Sequence, residues 1–300
     1  MHQFDTAAAL RAARCRWPEP VVLVPTMGAL HDGHRALVAE ARRAAGDGGT
    51  VVVSIFINPL QFDRREDLDR YPRDLEADLA SCRALGVDAV FTPAAGDFYA
   101  PDHSTTVRES LLTTHLCGAT RPGHFDGVCT VVLKLFQGVA PTHAIFGKKD
   151  YQQLAVIRRM VRDLSLPVEI LGGETVREPD GLALSSRNRY LDKDQREQAG
   201  ALSAALLAGK YAAAGGAEAA LDAARAVLDE VPALEVDYLQ VRDPMLGPAP
   251  AEGQARLLVA ARLGRTRLID NIAIDVGASA GIDGHPRVGN DQNHELPWRN

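Results

Sequence analysis

Long apolar runs are missing from this chain of 300 residues. Stretches such as Val51-Val52-Val53-Ser54-Ile55-Phe56-Ile57 fall far short of the roughly 20 residues that a helix needs to cross a bilayer, so no membrane span is readable. Aromatic residues make up only 5%, and basic residues are not in excess: 33 Lys and Arg stand against 39 Asp and Glu, a formal net charge of −6. That balance gives no electrostatic footprint for duplex nucleic acid, although it leaves room for a local basic pocket that takes a small anion. The four cysteines, Cys15, Cys82, Cys117 and Cys129, lie far apart without a CxxC pair. This argues against a disulfide framework and a thiolate zinc site, and favours buried free thiols. The first residues show no basic segment followed by an apolar one, so the cytoplasm is the expected compartment.

What is present is the composition of a globular protein, 46% hydrophobic and 24% charged, at a length that suggests two domains. Val21 to Val24 is an apolar run ended by Pro25, followed by a helical apolar face through Ala36-Leu37-Val38, Ala41 and Ala44-Ala45. Thr50 to Ile57 is β-branched and almost continuously apolar, as a strand covered on both faces requires, and Pro59 stops it. Leu75, Leu79, Cys82 and Leu85 recur at helical spacing before a strand at Asp88 to Phe91. The alternation returns with a helix from about Val128 to Val139, a strand His143 to Phe146, a helix Tyr151 to Leu164 and a strand Val168 to Leu171. These elements predict an α/β fold, a Rossmann-like doubly wound parallel sheet.

The character changes near Arg177. Gln195 to Ala208 and Ala217 to Val231 are Ala-rich helical stretches, and Val236 to Val241 and Arg256 to Ala261 are candidate strands. A second, smaller α+β C-terminal domain is expected over residues 177–276, after a first domain over 1–176. The Gly- and Asn-rich stretch 277–300 is expected to be a poorly ordered tail.

Five segments could carry chemistry. PTMGALHDGH, Pro25 to His34, sits where a strand ends and a helix begins, the edge at which open α/β sheets bind ligands. Gly28 and Gly33 allow close backbone approach, and His31 and His34, three apart, can aim two imidazoles at one anion; ordinary loop polarity or a metal pair are the alternatives. FINPLQF follows a strand and offers the amides of Asn58 and Gln61, although taken alone it reads better as a turn Asn before Pro59 with Gln61 facing solvent. RPGHFDGV offers Arg121 and His124 to a pocket or is simply a loop that leads into a helix. FGKKDYQQL places Lys148, Lys149 and Asp150 at a second strand end, with Gln153 one turn further in, as phosphate contacts or as a solvated loop. DGLALSSRNRYL puts Ser185, Ser186 and Arg187 at the domain junction, as donors able to close over a polyphosphate or as a plain linker. No GxxxxGK[ST], GxGxxG in the first βα turn, or GxSxG is present, so P-loop, dinucleotide-binding and α/β-hydrolase readings lose support.

In this order the five segments closely resemble the pantoate–β-alanine ligase family, within the nucleotidyltransferase group whose HxGH signature matches His31 to His34. The resemblance implies that pantoate attacks the α-phosphorus of ATP to give pantoyl adenylate and pyrophosphate, and that β-alanine then displaces AMP to form pantothenate. It implies an ATP and pantoate site in the first domain, with the second as a lid. His34 matches the family's proton donor, with His31, Lys149 and Arg187 as further catalytic groups. ATP contacts are implied at Met27, Gly28, Ala29, Leu30, His31, Asp32, Gly33 and His34, at Gly147, Lys148, Lys149 and Asp150, and at Val176, Leu184, Ser185, Ser186 and Arg187. Gln61 and Gln153 match the pantoate contacts, Gln61 also meeting β-alanine, while Asn58, Arg121 and His124 are secondary candidates. ATP is expected as a substrate with Mg²⁺ held mostly by phosphates and water, without assigned protein ligands. Partners are the small-molecule substrates and a second copy in a homodimer, with no nucleic acid and no membrane.

Two positions depart from the family's commonest pattern: Leu184 stands where Met is usual and Lys148 where Glu is frequent. The rivals are an adenylyltransferase of the same group, disfavoured by the neutral amides Asn58 and Gln61, and a regulatory module without turnover, disfavoured by the joint presence of His31, His34, Lys149 and Arg187.

Overall fold

A computed structural model describes residues 1–62 and 65–277. Six parallel strands, β1 (His2–Phe4), β2 (Val21–Thr26), β3 (Thr50–Ile55), β4 (Ala89–Phe91), β5 (His143–Gly147) and β6 (Glu169–Gly173), form one sheet in the order β1-β4-β3-β2-β5-β6. The apolar runs are continuous because the sheet is covered twice, and the two-residue period of a strand sorts alternate side chains onto opposite faces. Val21, Leu23 and Val52 join a core with the helices His124–Val139 and Tyr151–Asp163. Val22, Val24, Val51 and Val53 join another with the helices Asp32–Ala45 and Leu75–Ala84.

The direction of winding reverses between β2 and β5. From β2 the chain moves outward to β3 and β4, whereas β5 returns to the other side of β2 and continues to β6. β2 and β5 pair only at Val22 with His143 and Leu23 with Ala144, so their carboxyl ends part and leave a crevice. Such a reversal is where ligands lodge in open α/β sheets.

The second unit is a three-stranded antiparallel sheet, β7 (Leu234–Arg242), β8 (Gly253–Leu263) and β9 (Thr266–Val276), packed on the helices Lys193–Ala212 and Ala217–Asp229. Asp192 opens the first of these helices with a reciprocal cap: its carboxylate accepts from Gln195 N–H while the Gln195 side chain accepts from Asp192 N–H. Leu182 already packs in this second core.

Several boundaries differ from the sequence reading. β2 runs through Pro25 to Thr26, because past Leu23 the strand pairs with β3 alone and a missing N–H is tolerated where one side of a strand is unpaired. β3 ends at Ile55 and Pro59 opens a 3₁₀ turn, Pro59–Gln61. The elements β1, the helix Ala7–Arg14 and β9 have no counterpart in the sequence reading. The expected tail lies, from residue 278 on, outside the described residues. Among the described residues no helix is long and apolar enough to cross a membrane.

Candidate active site

The loop after β2 is shaped by a carboxylate buried beneath it. Asp78, 4% exposed, accepts from the N–H groups of Ala29 at 2.9 Å and Leu30 at 2.7 Å. Gly28 takes φ +81°, and a Cβ there would stand 2.7 Å from Asp78 Oδ2, so the clamp and the glycine require each other. The loop then enters the helix Asp32–Ala45 through its histidines. His31 Nδ1 accepts from Gly33 N–H at 3.1 Å, and His34 Nδ1 accepts from His31 N–H at 3.3 Å. Gly33 leaves the room this needs, since a Cβ would meet His31 Cε1 at 2.8 Å.

With both Nδ1 atoms acting as acceptors, each neutral imidazole carries its proton on Nε2. Burial lowers the pKa of His34 from 6.5 to about 3, helped by the neighbouring His31 and Lys149. His31 moves in the same direction, through burial and then Lys149. The ring centroids are 4.2 Å apart. The pair is therefore two neutral N–H donors, able to bind an anion without a charge of their own.

Opposite lies Gln61, held by its neighbours. Its Oε1 accepts from Asn58 Nδ2 at 3.1 Å, and its Nε2 donates to Met27 Sδ at 3.0 Å. Its main-chain carbonyl accepts from Arg121 Nη2 at 3.1 Å and from His124 Nδ1 at 2.7 Å. The second nitrogen of His124 then faces Arg121 Nη1 at 3.1 Å, and burial together with that guanidinium pushes the His124 pKa down to about 4.

A cavity of about 210 Å³ unites these parts. It is lined by Met27, His31, Gly33, His34, Gln61, Gly147, Lys149, Asp150, Gln153, Val176 and Leu184 to Arg187. A second chamber of about 100 Å³ lies under the β8–β9 hairpin and shares Tyr71, Lys149, Asp150, Gln153, Ser185 and Arg187 with the first. The hairpin gives it a cationic wall of Arg262, Arg265 and Arg267, facing Arg121 and His124. Arg187, whose N–H caps onto Ser185 Oγ at 3.2 Å, makes no side-chain hydrogen bond or ion pair with the described residues. Lys149 has Asp150 at 3.8 Å. Gln153 makes no hydrogen bond through its side chain to a described residue. The unengaged Arg187 and Gln153 side chains and the ammonium of Lys149 face one space.

Other candidates are placed elsewhere. Gly28, Ala29 and Leu30 do not line the cavity; Ala29 and Leu30 donate to Asp78 behind it, and Gly28 donates to Thr26 Oγ1. The Asp32 side chain points to solvent and pairs with Arg35 at 3.2 Å. Lys148 does not line the cavity itself and pairs with Glu174 at its margin. Asn58 is corrected from substrate contact to scaffold: only 1% exposed, it also donates to Gly127 O and accepts from Leu60 N–H and Tyr99 OH, which leaves nothing to offer a ligand. Arg121 does not join Lys149 and Arg187 in the larger cavity, because it is held on the Gln61 carbonyl and His124.

Sequence reasoning missed Asp78 and Tyr71. Asp78 had a signal, an acidic residue among the apolar positions Leu75, Leu79 and Cys82 of one helix. Tyr71, which lines both chambers and accepts from Ser186 Oγ at 3.5 Å, had none. Among the described residues no three His, Cys, Asp or Glu gather to hold a metal ion, and the carboxylates on the larger cavity are Asp150 and Glu174.

Comparison with known proteins places this geometry. Residues 2–273 match the family model described as pantoate-beta-alanine ligase. The pantothenate synthetase of Mycolicibacterium smegmatis is 73% identical over 296 residues, 99% of this chain and 93% of that protein. The namesake from Nocardia farcinica is 59% identical over 268 residues, 89% of this chain and 83% of its own. Among solved structures, pantothenate synthetase from Thermus thermophilus matches with a TM-score of 0.85 at 50% identity, covering 91% of this chain and 99% of that one. Pantoate-beta-alanine ligase from Francisella tularensis, complexed with beta-gamma ATP and beta-alanine, matches with a TM-score of 0.76 at 32% identity, covering 91% and 97%.

Proposed function

The chain belongs to the pantoate–β-alanine ligase family, and from that premise we propose how its residues divide the ATP-dependent joining of pantoate to β-alanine. A carboxylate oxygen is a poor leaving group, so pantoate must first be activated. Its carboxylate attacks the α-phosphorus of ATP, the bond to the bridging oxygen breaks, and pyrophosphate leaves with the pantoyl adenylate formed. The neutral amine of β-alanine then attacks the acyl carbon, the acyl–oxygen bond breaks, AMP departs and the amine loses a proton.

The observation that carries the assignment is the meeting of Lys149, the unengaged guanidinium of Arg187 and the imidazoles of His31 and His34 on one cavity. Negative charge develops on the phosphates during adenylation, and donors already aimed at it need no rearrangement at the moment of reaction. His34 acts here as a neutral Nε2–H donor to phosphate. Met27, Gly33, Gly147, Val176 and Leu184 to Ser186 supply the surrounding nucleotide contacts. Gln153 and Gln61 hold pantoate, Gln61 also meets β-alanine, and Arg121 and His124 act through the Gln61 carbonyl.

Mg²⁺ would be carried mostly by the triphosphate and water, with Asp150 the carboxylate on the cavity that could meet it, and would offset phosphate charge there. We include in the proposal a homodimer, from the family resemblance, and a cytoplasmic setting, supported by four free cysteines, three of them buried. Residues 1–176 serve as the substrate-binding domain and 177–276 as the lid.

ATP–pyrophosphate isotope exchange tests the reading. Exchange should depend on pantoate, and AMP should be released when β-alanine is added. Exchange indifferent to pantoate would sink the ligase mechanism.

A further inference from the structure

Asn271 lies in β9 of the second unit and is 4% exposed, yet its side chain reaches the first unit. Its Nδ2 donates to two consecutive carbonyls, Lys148 O at 3.0 Å and Lys149 O at 2.9 Å. Its Oδ1 accepts from Arg256 Nη1 at 3.0 Å, and the Arg256 guanidinium lies over the Tyr151 ring, 4.1 Å from its centroid. Both amide hydrogens and the amide oxygen are thus engaged. This is a buried polar group with every partner supplied, and only a primary amide provides two donors and an acceptor in that plane.

The preceding residue holds the other cationic segment. Asp270, 2% exposed, takes Arg177 in a two-point pair, Nη1 to Oδ2 at 2.6 Å and Nη2 to Oδ1 at 3.0 Å. Arg177 Nη1 also donates to Gly181 O at 2.9 Å, fixing the turn that leads to Leu184 and Arg187. One dipeptide therefore touches the main chain of Lys149 and, through Arg177, the turn at Gly181.

We infer that Asn271 is a positioning residue for the nucleotide step: from the second unit it fixes the peptide planes of Lys148 and Lys149, and so presents the Lys149 ammonium to the phosphates. A lysine side chain is a point charge on a flexible four-carbon stem, so where its backbone is held decides how much of its reach is wasted. Asn271 borders the second chamber and not the larger cavity, and its amide is spent on the two carbonyls and Arg256, so it acts through Lys149. The inference rests on the assignment of Lys149 to the triphosphate made above.

The test uses the full chain, with ATP–pyrophosphate exchange in the presence of pantoate as the readout. Asn271→Ala should slow exchange about 10- to 100-fold while pantoate affinity stays within about twofold. Asn271→Asp, nearly the same in shape and still able to accept from Arg256, should be worse than Asn271→Ala because it turns a carboxylate oxygen toward two carbonyls. In a Lys149→Ala background, adding Asn271→Ala should change the remaining exchange by no more than about twofold, since the group it positions is gone. Losses that multiply in that background would overturn the inference, as would parental exchange by Asn271→Asp. Should Asn271→Ala fail to fold by thermal melting, Asn271→Asp carries the same comparison. An unaltered chain without pantoate-dependent exchange overturns the ligase mechanism and this inference together; normal exchange in a folded Asn271→Asp overturns this inference alone.

Discussion

His31 and His34 hold each other: the N–H of His31 donates to Nδ1 of His34 at 3.3 Å, and the rings stand 4.2 Å apart. A proton added to His34 would convert the acceptor of that bond to a donor and place a charge beside Lys149. Burial opposes the charge first, then the neighbouring His31 and Lys149, and the pKa falls from 6.5 to about 3.

A pH dependence follows from that shift. In the unfolded chain His34 takes up a proton near pH 6.5, whereas in the folded chain it resists until about 3. The unfolded state therefore binds more protons between those values, so the stabilisation is present above 6.5 and is lost as the pH falls toward 3. His124, lowered to about 4, acts in the same sense. Denaturant midpoints should drop between pH of about 7 and about 5, and His34→Ala should flatten that slope. A variant curve parallel to the parent's would count against the assignment. The same variant should slow pantoate-dependent exchange by about 10² to 10³.

Asp78→Asn should damage the active-site loop from below. The amide would turn an N–H group toward one of the two N–H groups that Asp78 now accepts, at a cost of about 1–3 kcal/mol. Both the denaturant midpoint and exchange should fall. Wild-type exchange in this variant would show that the loop holds its shape without the clamp.

Gln153 and Gln61 should separate in steady-state kinetics. Gln153→Ala should raise the KM for pantoate about 2- to 10-fold, as loss of one hydrogen bond predicts, and leave β-alanine alone. Gln61→Ala should raise both. His124→Ala should resemble Gln61→Ala, because its 2.7 Å bond is to the Gln61 carbonyl. A β-alanine effect in Gln153→Ala would redraw the two subsites.

Much of the first domain was legible because its strands are apolar on both faces, and Val21 to Val24 or Thr50 to Ser54 could hardly be anything else. β9 was not legible, since Asp270 and Asn271 put polar side chains at buried positions and interrupt the expected alternation. They are buried for reasons of tertiary structure: one answers Arg177, the other the carbonyls of Lys148 and Lys149. The site showed the same division. His31, His34, Lys149, Arg187 and Gln153 could be named from local motifs because they meet the cavity directly. Asp78 works through backbone groups about fifty positions away, and the motif leaves Asn58 open between a substrate amide and a turn residue, which its four partners decide. Local sequence records what a residue can donate or accept, and not whether folding has already used it.

The short pairing of β2 with β5 has a consequence for how the site meets its ligand. Beyond Leu23 and Ala144 the two strands no longer pair, while each keeps its outer neighbour, β3 as far as Ile55 and β6 as far as Gly173. The opening between them is written into main-chain registry, so it exists before anything enters. An incoming molecule need not prise the sheet apart, and side-chain drift at its margins, such as Leu184 and Lys148, leaves its width untouched.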